Sequence, residues 1–192
     1  IRGAAYARRA ATGAKRILAA RAEHPAVTKT LQHLAKYEDF LIEWLAVDEF
    51  GMVAPDTVAK AIREDTAVVS VMYANNEIGT INPIREIAEI CRAGKVLFHT
   101  DAVQAAAYLP VDLQTVGVDR GPLGAHKFEG PKGVGALYVR HGTHILAQQQ
   151  GGTQERHRRA GTENVAGAVG LAAAYRLTCA ERLETVARLA AQ

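Results

Sequence analysis

The run Ala67-Val68-Val69-Ser70-Val71-Met72-Tyr73 constrains this chain most. It carries no charge and is rich in β-branched side chains, so it reads as a strand buried on both faces. A sheet buried on both faces needs a helical layer on each side. The flanking segments offer that. Arg16 to Ala20, Phe40 to Val47 and Val96 to Thr100 are further strand candidates. Between them lie helical patterns at Ile1 to Ala11, from Pro25 onward, at Pro55 to Arg63 and at Pro83 to Arg92. Thr12-Gly13-Ala14 can stop the first helix, and Pro25 suits the first turn of the second. Strands alternating with helices predict a parallel α/β sheet. Val116 to Leu123 could lead a further strand into Gly124-Ala125-His126-Lys127. Ala136 to Val139 follows Lys127 too soon for a helical crossover, so it is expected to run antiparallel to its neighbour. Glu163 to Thr178 and Ala180 to Ala191 read as helices. With 192 residues, 48% of them hydrophobic and 22% charged, the chain has the material for one globular domain. No repeat, linker or boundary divides it.

Lys127 stands after a strand and before the glycine-rich turn Gly130-Pro131-Lys132-Gly133-Val134-Gly135. Such a lysine can present its amine in a pocket built mostly of backbone. Asp101 closes the apolar run that ends Phe98-His99-Thr100. A lysine nucleophile with a strand-end carboxylate suggests a pyridoxal phosphate site, the lysine forming a Schiff base and the carboxylate pairing with the pyridinium nitrogen. Taken alone, the two residues suit a surface lysine and a helix-capping aspartate equally well. Ligands of open α/β sheets sit beyond the carboxyl ends of the strands. Asn76, Asp101, Gln104, His126 and Lys127 all fall just past such ends.

Five motifs then occur in order: Asn75-Asn76-Glu77-Ile78-Gly79-Thr80, His99-Thr100-Asp101-Ala102-Val103-Gln104, Ala125-His126-Lys127, Gly130 to Val139, and Arg159-Ala160-Gly161-Thr162-Glu163-Asn164. Together they resemble the cysteine desulfurases, class V aminotransferase-like enzymes that supply sulfur for iron–sulfur clusters. The resemblance runs over nearly the whole chain. It implies an α/β fold with a mainly parallel mixed sheet flanked by helices, the large domain of the fold-type I pyridoxal phosphate enzymes. It implies that L-cysteine becomes L-alanine while a cysteine thiolate takes the sulfur as a persulfide. By the same resemblance Lys127 anchors pyridoxal 5′-phosphate, and His24 stacks on its ring and shuttles a proton. Asp101 meets the ring nitrogen, Asn76 and Gln104 the phenolic oxygen, and His126 lies on the phosphate side. Thr162 reaches the phosphate of a partner subunit, which implies a homodimer. An iron–sulfur assembly scaffold or another sulfur acceptor is the implied partner. A selenocysteine lyase or another class V aminotransferase-like enzyme, or a non-catalytic scaffold subunit, is the alternative.

The chain departs from the family at Gly124, where a serine hydroxyl is usual for phosphate, and at Arg120-Gly121-Pro122, where an apolar pattern with a serine is usual. Glu129 replaces an aromatic residue, and Thr153 and His157 replace glycines. These changes bear on cofactor affinity and leave Lys127 and Asp101 intact. The chain opens on Ile1 inside a helical pattern and ends inside another. Residues 1–192 therefore read as one cofactor-binding large domain, a piece lacking an N-terminal segment and a C-terminal small domain, with the nucleophilic cysteine expected beyond Gln192. Cys91 shares an apolar helix face with Ile84, Ile87 and Ala88, and Cys179 stands near Glu181 and Glu184, so neither suits a thiolate nucleophile. Two cysteines make no disulfide framework and no zinc pattern. A net charge of +3 is a weak preference for anions. Arg156, Arg158 and Arg159 lack interleaved aromatics, so nucleic acid is not expected. No apolar run is long enough to span a membrane and no signal peptide is seen, so a cytoplasmic protein is expected.

Overall fold

The computed structural model describes residues 1–191. Six strands form one sheet in the order β2-β1-β3-β4-β5-β6. They are β1 (Arg16–Ala20), β2 (Leu41–Leu45), β3 (Thr66–Ser70), β4 (Leu97–His99), β5 (Arg120–Gly124) and β6 (Gly135–Val139). β1 to β5 are parallel, and β6 closes the edge antiparallel to β5, as the short connection after Lys127 predicts. The helices are α1 (Arg2–Thr12), α2 (Pro25–Tyr37), α3 (Pro55–Ala61), α4 (Ile84–Ala93), α5 (Ala105–Tyr108), α6 (Leu113–Val116), α7 (Gln154–His157) and α8 (Val165–Ala190). α7 is a turn more than a helix, with Glu155 and Arg156 in left-handed backbone.

The strands bury both faces because their side chains alternate between two cores. Ile17 and Ala19 of β1 pack with Val27, Leu31 and Leu34 of α2 and with Ala4 and Ala5 of α1. Leu18 and Ala20 pack on the other face with Val58 of α3 and Ile84, Ile87, Ala88 and Cys91 of α4. Ile84 and Ile87 are almost wholly buried, each worth roughly 1.5–3 kcal/mol. Helix ends follow local chemistry. Gly13 adopts φ 75° and donates its N–H to Arg9, a conformation that costs glycine little. Pro25 opens α2, whose first turn is capped by His24.

The expected strands are longer than those observed. β5 occupies only the second half of the stretch Val116 to Leu123, because α6 runs to Val116 and ends on Gly117 at φ 97°. Past Ser70 the chain still follows its neighbour, with Val71 N–H bonded to His99 O and Tyr73 N–H to Asp101 O. The two expected C-terminal helices are one, α8, running unbroken through Thr178 and Cys179. The Thr178 hydroxyl donates to Ala174 O at 3.0 Å, so it completes the preceding turn and does not break the helix.

One buried position fits none of this patterning. Arg120 is 2% exposed, and none of its three guanidinium nitrogens has a hydrogen-bond partner among the described residues. Its neighbour Asp119 is engaged elsewhere, accepting from Phe98 N–H at 2.8 Å and facing Arg140 at 3.5 Å. Burial pulls the Arg120 guanidinium down to about 10, opposed by Asp119. An unpaired buried charge is costly. Arg120→Leu is therefore expected to raise stability by about 1–4 kcal/mol, read as a higher denaturation midpoint at unchanged slope. A loss of stability would show that Arg120 has an acceptor in solution.

Candidate active site

Parallel strands bring their carboxyl ends to one edge of the sheet. His24 follows β1, Asn76 follows β3, Asp101 and Gln104 follow β4, and His126 and Lys127 follow β5. Asn75 ties this edge together. Its side-chain nitrogen donates to Ala22 O at 2.8 Å, and its carbonyl accepts from Glu77 and Ile78 N–H. Asn76 beside it is exposed, with its side chain turned to solvent.

Asp101 is the buried member of the group, at 6% exposure. Its Oδ1 accepts from Val103 N–H at 3.0 Å. Burial pushes its carboxyl above the ordinary value, while the Val103 N–H and then His24 and Lys127 pull it down. His24 and Lys127 thus both lie within electrostatic reach of Asp101. Lys127 and His126 lie on a 3-10 turn, Ala125–Phe128, whose two ends are buried while the two middle side chains are exposed. Gly124 before it is extended, at φ −120° and ψ 116°. His24 uses Nδ1 to accept from Ala26 N–H at 3.1 Å. Gln104 Oε1 is buried without a partner among the described residues. Thr162 is exposed in the loop before α8.

A second layer lies beneath, and the sequence reading passed over it. Glu23, Ser70, His99 and Arg120 are all buried. Ser70 is in register with His99, and His99 with Arg120, so the three share a face of the sheet. The Ser70 hydroxyl donates to Glu23 Oε1 at 2.9 Å and lies 3.0 Å from His99 Nδ1. Burial pushes the Glu23 carboxyl up to about 8, with Asp101 adding to the shift and the Ser70 hydroxyl and Met72 amide opposing it. Burial holds His99 well below its ordinary value. The available signals were a lone serine in the most apolar strand and a histidine two residues before Asp101, the spacing that shares a strand face.

The cysteines divide. Cys91 is buried on α4, and burial, then Asp119, pushes its thiol up to about 12. Cys179 is exposed, and its sulfur accepts from Arg182 Nη2 at 3.3 Å. Arg182, three positions on, is its helical neighbour.

The model of the aminotransferase class-V family matches residues 4–192. A cysteine desulfurase IscS of Methanosarcina thermophila is 50% identical over 181 residues, covering 94% of this chain and 44% of that protein. A solved NifS-like protein superposes with a TM-score of 0.85 at 40% identity, over 89% of this chain and 47% of that one. SspA, solved in complex with cysteine, gives 0.85 at 32% identity over 91% of this chain and 50% of its own. The chain spans about half the length of the relatives it matches. The fold, the lysine after β5, the aspartate after β4 and these matches agree: the chain belongs to the class-V aminotransferase family, on its cysteine desulfurase branch.

Proposed function

We propose that this chain is the cofactor-binding large domain of a pyridoxal phosphate-dependent cysteine desulfurase. The substrate is L-cysteine, the products are L-alanine and a cysteine persulfide, and the sulfur passes to an iron–sulfur assembly scaffold or another acceptor. The observation that carries this reading is the convergence of His24, Asp101 and Lys127 from three strand ends, with buried Asp101 within electrostatic reach of the other two. The identified relatives named cysteine desulfurase support it.

The residues fit the cofactor. Asp101 offers a carboxylate with one backbone donor and room for a second, and the unpartnered Gln104 Oε1 waits for a polar group. Asp101 would meet the ring nitrogen, Asn76 and Gln104 the phenolic oxygen, His24 the ring face and His126 the phosphate side. Thr162, exposed in the loop before α8, would serve the phosphate of a partner subunit in a homodimer. When bound, pyridoxal phosphate supplies an electron sink for charge developing at the substrate α-carbon. The chain's own part is to anchor, to orient and to move protons. Asp101 keeps negative charge beside the ring, which favours its protonated form. Lys127 would anchor the cofactor and could carry a proton at Nζ, and His24 would move a proton as well. Among the described residues no helix is long and apolar enough to cross a membrane.

The nucleophile is a cysteine outside this chain. Cys91 is buried with a raised pKa, and Cys179 faces α8's own surface beside Arg182. Incubating the 192-residue chain with pyridoxal phosphate and cysteine is expected to yield no alanine. The complete protein is expected to turn over. Failure of the complete protein to release alanine from cysteine overturns the proposed function. Turnover by the 192-residue chain that vanishes in Cys91→Ser or Cys179→Ser overturns the placement of the nucleophile.

Gly124 is the point where this chain offers less to the phosphate. Its extended backbone accepts any residue, and an added Cβ would meet only side-chain atoms, Val103 Cγ1 at 3.2 Å and His126 Cε1 at 3.3 Å. His126 is exposed and can yield. Gly124→Ser is expected to tighten cofactor binding by about 1.5–3 kcal/mol, the worth of one charge-assisted hydrogen bond. Equilibrium titration with pyridoxal phosphate checks this. Unchanged or weaker binding would mean that other donors already satisfy the phosphate.

A further inference from the structure

We propose that Glu23 is the proton-holding partner of Asp101: a neutral carboxylic acid, fixed through Ser70 to His99, that leaves the single negative charge of the pair on Asp101. Glu23 adjoins His24 in sequence but turns inward, at 7% exposure. Its donors are neutral, the Ser70 hydroxyl at 2.9 Å from Oε1 and the Met72 amide. Oε2 is buried, with no side-chain partner among the described residues. A carboxylate held that way is poorly solvated, and a bound proton removes the charge that solvation would have to offset. Asp101, also buried, is better served, with a Val103 N–H at 3.0 Å and with His24 and Lys127 both acting to lower its carboxyl.

The electrostatics agree with this division. Asp101 is the charge that acts on Glu23, so the two carboxyls do not ionise independently, and the better-solvated one ionises first. The groups around the pair are His24 after β1, Ser70 on β3, His99 on β4 and Lys127 on the turn after β5, and behind His99 stand Arg120 and the Ile1 amine. Arg120 acts on His99, which burial keeps neutral. Ser70 has one hydroxyl proton and serves two neighbours. With His99 Nδ1–H donating to Ser70 Oγ, the hydroxyl donates to Glu23 Oε1 and the carboxyl proton rests on Oε2. Glu23 is then a positioning residue. It fixes the charge of Asp101 without touching the cofactor.

The inference uses the proposed function only for what Asp101 faces. Its test therefore needs no cofactor. Infrared titration of the full-length apo protein, grown with carboxyl-13C glutamate, reads the carbonyl stretch of protonated carboxyls. At pH 7 one such band is expected to move with the glutamate label. It is expected to be lost in Glu23→Gln, and to titrate at lower pH in Asp101→Asn, where the like charge is gone. A band that moves with labelled aspartate instead, one that survives in Glu23→Gln, or none at pH 7, overturns the proposal. If Glu23→Gln does not fold, the two labels in the unsubstituted protein decide alone. Absence of turnover in the complete protein would refute the enzymatic reading and leave this result standing.

Discussion

Lys127→Ala is expected to abolish covalent attachment of pyridoxal phosphate and to lower cysteine turnover by the complete protein at least about 10²–10⁴-fold, the share of a positioned proton carrier. Two lysines lie close in sequence, and the structure separates them. Lys127 sits on a turn pinned by buried Ala125 and Phe128, and its charge acts on Asp101. Lys132 is exposed in the turn before β6, beside Gly133 at φ 79°. Borohydride reduction of the loaded protein followed by peptide mapping should therefore label Lys127. Lys127→Arg keeps the positive charge and loses the nucleophilic amine. It should bind cofactor reversibly and carry no label. A label on Lys132, or an active Lys127→Ala protein, would remove Lys127 from the site.

Glu23→Gln should remove a downward contribution to the dependence of stability on pH between about 6.5 and 8. In the folded chain Glu23 releases its proton only at about 8, against 4.5 for the ordinary side chain. Between those values the folded state binds a proton that the unfolded state has lost, so stability falls as pH rises. The accumulated loss is on the order of 4 kcal/mol by pH 8. His99 works in the other direction. Its folded value lies well below 6.5, so stability is gained as pH rises to about that point and is flat above it. The two slopes oppose each other up to pH 6.5; above it the buried Ile1 amine, lowered to about 5, still opposes Glu23, and the difference between Glu23→Gln and the unsubstituted protein isolates Glu23's share. The glutamine keeps an acceptor for Ser70 but places an amide nitrogen where Oε2 lies, so the slope is the informative quantity and not the absolute stability. Denaturant midpoints measured from pH 5 to 8.5 give that slope. The same slope in Glu23→Gln as in the unsubstituted protein would show that Glu23 is ionised throughout.

Much of the fold was legible because it rests on local chemistry. The apolar run at 67–73 required cover on both faces, and two cores provide it. Ile84, Ile87, Ala88 and Cys91 share the buried face of α4, as their helical spacing predicts. Pro25 opens α2 and Gly13 ends α1 because a locked φ and a free one act within a few residues. The short α5 and α6 were not legible, since four residues are too few to show a period.

The candidate site divides along the same line. Asp101 and Lys127 could be marked on the chain because each ends a strand and carries chemistry unusual for its surroundings. Which of them is buried, and what acts on its charge, could not. Glu23, Ser70, His99 and Arg120 lie on segments 21 to 47 residues apart in sequence and come together only through the register of β3, β4 and β5 and the turn after β1. Hydrophobic periodicity says which face of a strand is covered and nothing about which strand lies beside it. By itself the sequence determined the α/β pattern, the strand ends and the residue types available there. Tertiary structure alone decided which polar groups share a dry interior, and there each one's charge depends on neighbours far along the chain.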